Sequence, residues 1–326
     1  SASSGPGEQG SGFYCAPNPP VGPVFTYYLR EEAKTLRELR QEREKKLREA
    51  GEPVPYPAWE ELRAEETEEE PAVILTVRDA GGEVVRRLTG PVDAGFHRVS
   101  WDMRLPAANP VSLETVVPDW GSAPAGPLAA PGEYTVSLER RVRGQTVALG
   151  ATQRFSCVPL GNATLAAADR PALLAFQRRV ADLQRAVLGA RRVIGETDSR
   201  LELVRRAILD TPAADPALLE RVAALKDGLR ALRVDLDGDA VVAGREEPTP
   251  PGLADRLQRA VDGLWYATST ATRTHERQYE IVAAAFPGLL ARLSQLVETD
   301  LAALQDALDE AGAPWTPGRL PVWEGQ

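Results

Sequence analysis

The feature that most constrains the fold of this chain is a run of apolar residues that recur every three or four positions between residues 173 and 208. Thr197 is the only polar residue at these positions, and the spacing does not slip at Gly189 or Gly195. Residues spaced in this way share one face of an α-helix, which needs a partner surface to bury them. The pattern predicts a helix of about 40 residues, roughly 60 Å long. The positions are Leu173, Phe176, Val180, Leu183, Val187, Ala190, Ile194, Thr197, Leu201, Val204 and Ile208.

Further helices are predicted after this one. Thr211–Pro212 makes a tight reversal, so a second helix with the same apolar spacing is expected to pair antiparallel with the first. A third helix is predicted over Leu253–Leu264, and a fourth from about Thr274 to Ala311, with a kink or a fresh start at Pro287. Residues 160–312 are therefore predicted to form a long antiparallel bundle of three to four helices.

Residues 71–159 change from helical spacing to the alternation that is typical of β-strands. Short runs rich in Val, Ile, Thr, Tyr and Phe are separated by Gly, Pro and Asp at roughly regular intervals. The pattern predicts an antiparallel β-sandwich with Trp101 in its core. A Pro- and Gly-rich insertion between Leu105 and Pro131, which contains Trp120, interrupts it.

The remaining segments are a leader, a charged stretch and a tail. Residues 1–29 are rich in Pro and aromatic side chains and include a short predicted strand, Val24–Leu29. Residues 30–70 are predicted to be one charged helix followed by a linker, in which the Glu65–Glu70 run is hydrated. Residues 313–326 are predicted to be an extended aromatic tail.

Several motifs within residues 71–159 resemble the Ig-like module of flagellar hook-capping proteins. That module recurs near the C-terminus of many exported bacterial enzymes, and the resemblance implies an Ig-like form of the predicted sandwich. The motifs are Val77–Gly81, Val84–Leu88, Ala94–Asp102 and Ala130–Val136.

The whole chain also resembles the C-terminal part of large bacterial sortilin-like (BNR-repeat) β-propeller proteins, which are often labelled glycosyl hydrolases. The likeness rests on Asn18–Pro20, Glu247–Pro251 and Pro314–Arg319. No propeller repeat occurs in this sequence. If the family's activity resides in its propeller, the resemblance therefore implies no hydrolase activity for this chain. It further implies a neighbouring β-propeller as partner and an extracellular or periplasmic location.

The composition argues against several classes of function. A net charge of −9 argues against a nucleic-acid binder, which needs clustered Lys and Arg. No uninterrupted run of about 18 apolar residues occurs, so no membrane span is predicted. With only two His, two Cys and one Met, little material exists for a transition-metal or iron–sulfur site, and we expect no cofactor.

Candidate catalytic groups are also few. A glycosidase needs two carboxylates about 5–10 Å apart across the sugar, whereas the acidic residues here are expected on solvated helix faces. His97 is predicted to lie on a strand surface, opposite Phe96, and His275 at a helix start. We therefore expect no catalysis within this chain.

One stretch has the spacing of a calcium-binding loop. If Asp235 is position one, Asp237, Asp239 and Glu246 fall at ligand positions three, five and twelve. Position six, which requires glycine, is Ala240. A polar turn at the end of a helix is the favoured interpretation, and a calcium site is the alternative.

Aromatic residues in extended, Pro-rich segments favour contact with another protein domain. The predicted interface residues are Phe25, Tyr27, Tyr28, Trp120, Trp315 and Trp323. In an exported protein Cys15 and Cys157 could form a disulfide, and two separate buried thiols are the alternative. The sequence leaves both open.

The predicted fold class is a multidomain α+β chain, an antiparallel Ig-like β-sandwich followed by a long antiparallel helical bundle. The predicted function is a non-catalytic structural and interaction region that presents or docks a partner domain. The alternative is a glycoside hydrolase or a carbohydrate-binding accessory module, with a glycan bound near Trp120. A third possibility is a helical bundle that oligomerises through an exposed seam.

Overall fold

The structure is a computed structural model with side chains. It describes residues 21–113, 124–161, 165–321 and 323. These residues form antiparallel sheets and helices, so the chain is of the mixed α+β class.

The chain divides into two compact units. The first, here called the β unit, comprises the described residues of Ser1–Arg104 and Pro131–Pro159. The second, here called the helical unit, comprises those of Leu105–Ala130 and Leu160–Gln326. The predicted insertion between Leu105 and Pro131 thus groups with the helical unit.

The β unit contains seven strands within its described residues. They are β1 (Val24–Leu29), β2 (Ala72–Asp79), β3 (Val84–Gly90), β4 (Gly95–Ser100), β5 (Gly132–Val142), β6 (Gln145–Ala148) and β7 (Gln153–Cys157). In the small sheet β1 pairs antiparallel with β4. In the large sheet the order is β3-β2-β5-β6, and β7 pairs with the first half of β5. The strand predicted in the leader is confirmed, and its partner β4 comes from the segment predicted to be a separate sandwich.

The core of the β unit lies between these two sheets. Tyr27 and Leu29 of β1 pack with Val73 and Leu75 of β2, and all four side chains are buried. Trp101 directly follows β4 and is fully buried, which confirms its predicted core position.

Two helices precede the large sheet, α1 (Leu36–Glu49) and α2 (Trp59–Thr67). A capping box begins α1, because the Thr35 side chain accepts a hydrogen bond from the Glu38 N–H and the Glu38 carboxylate accepts one from the Thr35 N–H. The sequence predicts one helix and a linker across residues 30–70. The second helix is a correction to that prediction.

The predicted hydrated Glu65–Glu70 run also needs correction at two positions. The Arg40 guanidinium donates two hydrogen bonds to the Glu65 carboxylate, 2.6 and 2.8 Å long, and the Glu65 side chain is only 5% exposed. Glu68 accepts a hydrogen bond from the Leu36 N–H at the start of α1. These carboxylates join α1 to the end of α2, because buried charges need partners of opposite charge or hydrogen-bond donors.

The helical unit contains six α-helices within its described residues. They are α3 (Arg170–Leu209), α4 (Ala217–Asp237), α5 (Ala240–Ala243), α6 (Leu253–Trp265), α7 (Arg273–Ser294) and α8 (Leu301–Glu310). A π-helical segment, Gln295–Asp300, joins α7 and α8 into one continuous helix. Pro287 lies inside α7, so the helix does not begin afresh there.

The predicted long helix is confirmed as α3, which has 40 residues. The Asp169 side chain caps it by accepting a hydrogen bond from the Ala172 N–H, 2.9 Å long. Leu201 and Val204, two of the predicted seam positions, are fully buried. The seam packs into one hydrophobic core that α4, α6, α7 and α8 share.

Ion pairs show that α3 and α4 run antiparallel, as predicted from the reversal. Arg191 in the middle of α3 donates hydrogen bonds to Asp237 at the end of α4. Glu202, later in α3, pairs with Lys226, earlier in α4. One residue number rises as its partner's number falls, which is the order that antiparallel helices require.

Candidate functional site

An open groove of about 860 Å³ lies beside β1. One wall is β1 itself, with Pro23 before it and Arg30 and Glu31 after it. Its floor is made by side chains of the large sheet and the β6–β7 connection, namely Leu75, Val136, Leu138, Leu149 and Phe155. We call this cavity the β1 groove.

The β1 groove follows from the unequal width of the two sheets. The side chains of β1 cover Val73 and Leu75 of β2. The next strand of the large sheet is β5, and its Val136 and Leu138 remain only half-buried in the groove floor. Because neighbouring strands lie about 4.8 Å apart, the small sheet would need a further strand to cover β5.

Tyr27 holds β1 in place over the large sheet. Its hydroxyl donates a hydrogen bond to the Pro91 carbonyl oxygen, 2.7 Å away. Burial, followed by the nearby charge of Asp93, raises the pKa of Tyr27, so the hydroxyl keeps its proton as a donor. Gly90 leaves the space for it, since a Cβ there would lie 2.3 Å from the Tyr27 hydroxyl oxygen.

The charged side chains of the groove are mostly basic. Arg30 and Arg140 line the end of the groove that follows Leu29, and Arg154 lines it beside Phe155. Within the described residues, none of these three arginines has a carboxylate at ion-pair distance. Glu31 is the one acidic residue in the lining. The groove therefore combines an apolar floor with basic groups that a ligand's carboxylate can reach.

The small sheet presents an aromatic pair on its outer surface. The rings of Tyr28 and Phe96 have centroids 4.9 Å apart, and the side chains are 58% and 79% exposed. The sequence predicts that His97 lies on the strand surface with Phe96 opposite it, and the structure corrects this. His97 is half-buried, with its ring 5.2 Å from that of Tyr27. The register decides the orientation, because His97 lies directly across from the inward-facing Tyr27.

The predicted interface residues of the leader therefore have different environments. Phe25 and Tyr27 face the interior, where the Phe25 ring packs edge-on against Phe155 with centroids 5.4 Å apart. Tyr28 faces outward. Of these three residues only Tyr28 has a largely exposed side chain, whereas Phe25 and Tyr27 shape the groove wall.

The tail aromatics lie in the helical unit. The Trp315 side chain is 59% exposed, and its indole N–H donates a hydrogen bond to the Arg319 carbonyl oxygen, 2.8 Å long. The Arg319 guanidinium in turn pairs with Asp309 of α8, which anchors this part of the tail. Trp323 is 87% exposed. Trp120 lies outside the described residues.

Three further residues, Tyr56, Trp59 and Tyr266, have exposed aromatic side chains that the sequence patterns did not single out. Tyr56 and Trp59 are 75% and 64% exposed and pack against each other with ring centroids 5.9 Å apart. Pro55 and Pro57 flank Tyr56, which is the same signal that singled out Trp315.

The three aspartates of the candidate calcium loop have separate roles, and the Glu246 side chain is exposed. Asp235 and Asp237 each form an ion pair with an arginine of another helix. Asp239 caps α5 by accepting hydrogen bonds from the two backbone N–H groups of Val241 and Val242. Among the described residues, no group of three or more His, Cys, Asp or Glu is arranged to hold a metal ion.

Three described carboxylates have displaced pKa values, and all three are lowered. The pKa of Glu38 is lowered by hydrogen bonds from Thr35, that of Glu65 by Arg40, and that of Glu202 by Lys226. A general acid for glycoside hydrolysis needs a raised pKa. These carboxylates are therefore poor candidates for that role.

The remaining histidine and cysteine predictions have simple outcomes. His275 lies at the start of α7, where its backbone N–H donates to Thr272 and its Nδ1 accepts from the Thr272 N–H, which confirms a helix-end role. Cys157 ends β7, opposite Gly132 of β5. Cys15 lies outside the described residues, so the disulfide stays a prediction.

Two smaller cavities lie in the helical unit. One, of about 460 Å³, separates α4 from the π-helical segment and is lined mainly by apolar atoms of residues such as Gly228 and Leu296. The other, of about 630 Å³, adjoins the edge-on ring pair of Phe176 and Tyr279. Neither cavity is lined by residues of a β-strand.

The continuous helix Arg273–Glu310 is long and apolar enough to cross a membrane by length and composition alone. This is weak support for a span, since a core helix of a soluble protein meets the same test. Val282, Phe286 and Leu289 of this helix are buried in the shared core of the helical unit. The predicted absence of a span stays a prediction.

Comparison of this chain with models of protein families, with curated proteins and with solved structures found no match. The candidate site therefore rests on its geometry. That geometry is an apolar groove, closed on one side by a strand and open on the other, with basic groups in its lining.

Proposed function

We propose that this chain is a non-catalytic structural and interaction region whose β unit docks a partner domain in the β1 groove. The observation that carries the proposal is the groove itself, about 860 Å³ between a narrow sheet and the wider sheet beneath it. Exposed apolar surfaces of this kind are typical of binding sites. Contact between apolar side chains and water is unfavourable in free energy, and a bound partner displaces that water.

The proposal includes a finer description of both units. The β unit is an Ig-like β-sandwich, supported by two antiparallel sheets that share one core and by the buried Trp101 beside it. The helical unit is a long antiparallel bundle, supported by the shared core and by the antiparallel ion pairs of α3 and α4.

The proposed context is the C-terminal part of a larger exported protein of the sortilin-like propeller class, outside the cytoplasm. The support is the set of sequence motifs described above, among them Glu247–Pro251 and Pro314–Arg319. The proposed partner is then a β-propeller. The exposed ring pair of Tyr28 and Phe96 gives the partner a second contact surface beside the groove.

A binding measurement tests this function. The polypeptide encoded directly upstream of Ser1 in the same reading frame is purified separately and titrated into the chain by calorimetry. We expect saturable binding that weakens about tenfold or more in Leu149→Glu, because a charge in the groove floor must be desolvated on docking. Leu160→Glu is the matched control, since Leu160 lies outside the groove lining and is 88% exposed.

Two results would contradict the proposal. One is binding that Leu149→Glu and Leu160→Glu leave equally strong, because the groove would then not be the docking surface. The other is turnover of a glycoside panel by the purified chain that a single carboxylate substitution abolishes. Binding of the chain to a glycan array, lost in Trp120→Ala, would favour the carbohydrate-binding alternative.

A further inference from the structure

The outer edge of β1 carries backbone groups that point into the β1 groove. The Trp101 N–H donates to the Pro23 carbonyl oxygen, 3.0 Å away. In an antiparallel pair, hydrogen-bonded residue pairs alternate along the ladder, so Phe25, Tyr27 and Leu29 direct their backbone groups toward β4. The backbone N–H and C=O groups of the intervening residues point to the other edge. These residues are Val24, Thr26 and Tyr28.

This edge has no partner among the residues that the structure describes. Within that part of the chain β1 pairs only with β4, and no backbone hydrogen bond joins Val24, Thr26 or Tyr28 to another segment. An unpaired strand edge is a template for another strand, because its donors and acceptors repeat at the spacing that an extended chain requires.

The groove floor has the pattern that an added strand needs. Val136 and Leu138 are two positions apart on β5, as are side chains that face the same way on a strand. Together with Leu149 they form an apolar surface under the open edge of β1. A strand lying there would bury every second side chain against this surface and would direct the others outward, beside Tyr28.

The charges specify the partner further. Arg140 lies two positions after Leu138 on β5, and Arg30 follows the last residue of β1. Both line the same groove without a carboxylate at ion-pair distance in the described chain. A carboxylate at the corresponding end of the added strand would meet two guanidinium groups, which bind carboxylates in paired hydrogen bonds.

We propose that β1 accepts an extended segment of a partner protein as a third strand of the small sheet. This deepens the proposed function and rests on it. The segment has apolar side chains at alternate positions and an acidic residue at the end nearest Arg30. The added strand is not proposed for the free edge of β4, because the groove with the apolar floor is lined by β1 and not by β4.

The probe for the test is a capped, fluorescein-labelled peptide of alternating valine and threonine that ends in two glutamates. Its binding to the full chain is measured by fluorescence polarisation. A second probe has the same sequence, but every second backbone amide is N-methylated. The methylated amides are those whose N–H groups would face β1. We expect the first probe to bind and the second to bind about tenfold more weakly or not at all, because N-methylation removes the backbone donors.

A pair of variants tests the same point from the protein side. Thr26→Pro removes an N–H that points to the open edge and leaves the hydrogen bonds with β4 in place, as edge strands tolerate. Arg98→Pro makes the same change directly across the sheet, where the N–H points away from the groove. We expect at least a tenfold loss of binding for Thr26→Pro and parent-like binding for Arg98→Pro. Circular dichroism establishes that both variants are folded.

The outcomes separate this inference from the proposed function. Strand addition would be overturned if the two probes bound the chain equally well. It would also be overturned if the first probe bound Thr26→Pro as tightly as the parent chain. In both cases the groove would recognise only the side chains of the probe. Failure of the first probe to bind would also overturn it, and the upstream domain would still test docking independently. Self-association of the chain that Thr26→Pro abolishes would show that the occupant is a second copy, which contradicts the partner named here.

Discussion

Replacing Leu201 by alanine in the middle of α3 tests the central packing argument for the helical unit. Leu201 is fully buried at a seam position of the 40-residue helix. Leu203 is two residues away on the same helix, and its side chain is 48% exposed. The two substitutions remove the same atoms from opposite faces of one helix, so Leu203→Ala is a matched control.

The expected magnitude follows from the burial. Removing a fully buried leucine side chain costs its transfer free energy and leaves a cavity, which together lower the free energy of unfolding by about 3–4 kcal/mol. At an exposed helix position the same change stays within about 0.5 kcal/mol, and the higher helix propensity of alanine offsets part of it. For a unit of this size, 3–4 kcal/mol corresponds to a lower Tm of about 6–16 °C.

Urea unfolding of the full chain, followed by circular dichroism at 222 nm, measures this difference. Most of the helical signal belongs to the helical unit, so its transition can be followed even if the β unit unfolds separately. The reasoning is refuted if Leu201→Ala costs less than about 1 kcal/mol, or if Leu203→Ala costs as much. Either result would mean that the seam positions are not the ones that the core buries.

Three further predictions concern contacts inside each of the two units. The pKa of Glu65 is held below its ordinary value of 4.5, chiefly by the hydrogen bonds from Arg40, so its contribution to stability is present above that value and is lost as the pH falls below it. Glu65→Gln should therefore destabilise the chain at neutral pH and flatten the acid limb of an unfolding-versus-pH curve. An acid limb that is equally steep in Glu65→Gln and in the parent chain would contradict this prediction. Gly252→Ala should lower the free energy of unfolding by about 1–3 kcal/mol, since its Cβ would lie 2.5 Å from backbone atoms at the end of α4. Gly288→Ala, inside α7 with open space around it, should raise it by about 0.5–1 kcal/mol, and equal shifts measured by urea titration would disprove the packing argument. Tyr27→Phe should cost about 0.5–1.5 kcal/mol for the lost hydrogen bond, as measured by the Tm of the β unit, and an unchanged Tm would contradict it.

Periodicity was a reliable guide wherever burial is continuous along one helix or strand. The spacing of the seam predicted α3 with its buried Leu201 and Val204. The strand at Val24–Leu29 was predicted at its observed bounds. These signals are local, since each depends only on which residues lie one turn or two positions apart.

Contacts between distant segments could not be predicted in the same way. The sequence contains no sign that Glu65 pairs with Arg40, because both belong to runs of charge in which any partner is equally plausible. The inward direction of His97 depends on its register with β1, and a shift of one residue would turn it outward. The calcium-like spacing of Asp235, Asp237 and Asp239 was present, but the carboxylates are directed to other partners.

The sequence by itself determined where α3 and β1 form and which of their faces are apolar, because burial imposes a period of 3.6 or 2 on the chain. Only the tertiary structure decided that β1 joins β4, that the small sheet has just these two strands within the described residues, and that β5 is left half-covered beside it. The physical reason is that an open strand edge results from how many strands assemble in each sheet. That number depends on contacts across long sequence separations, which no local pattern encodes.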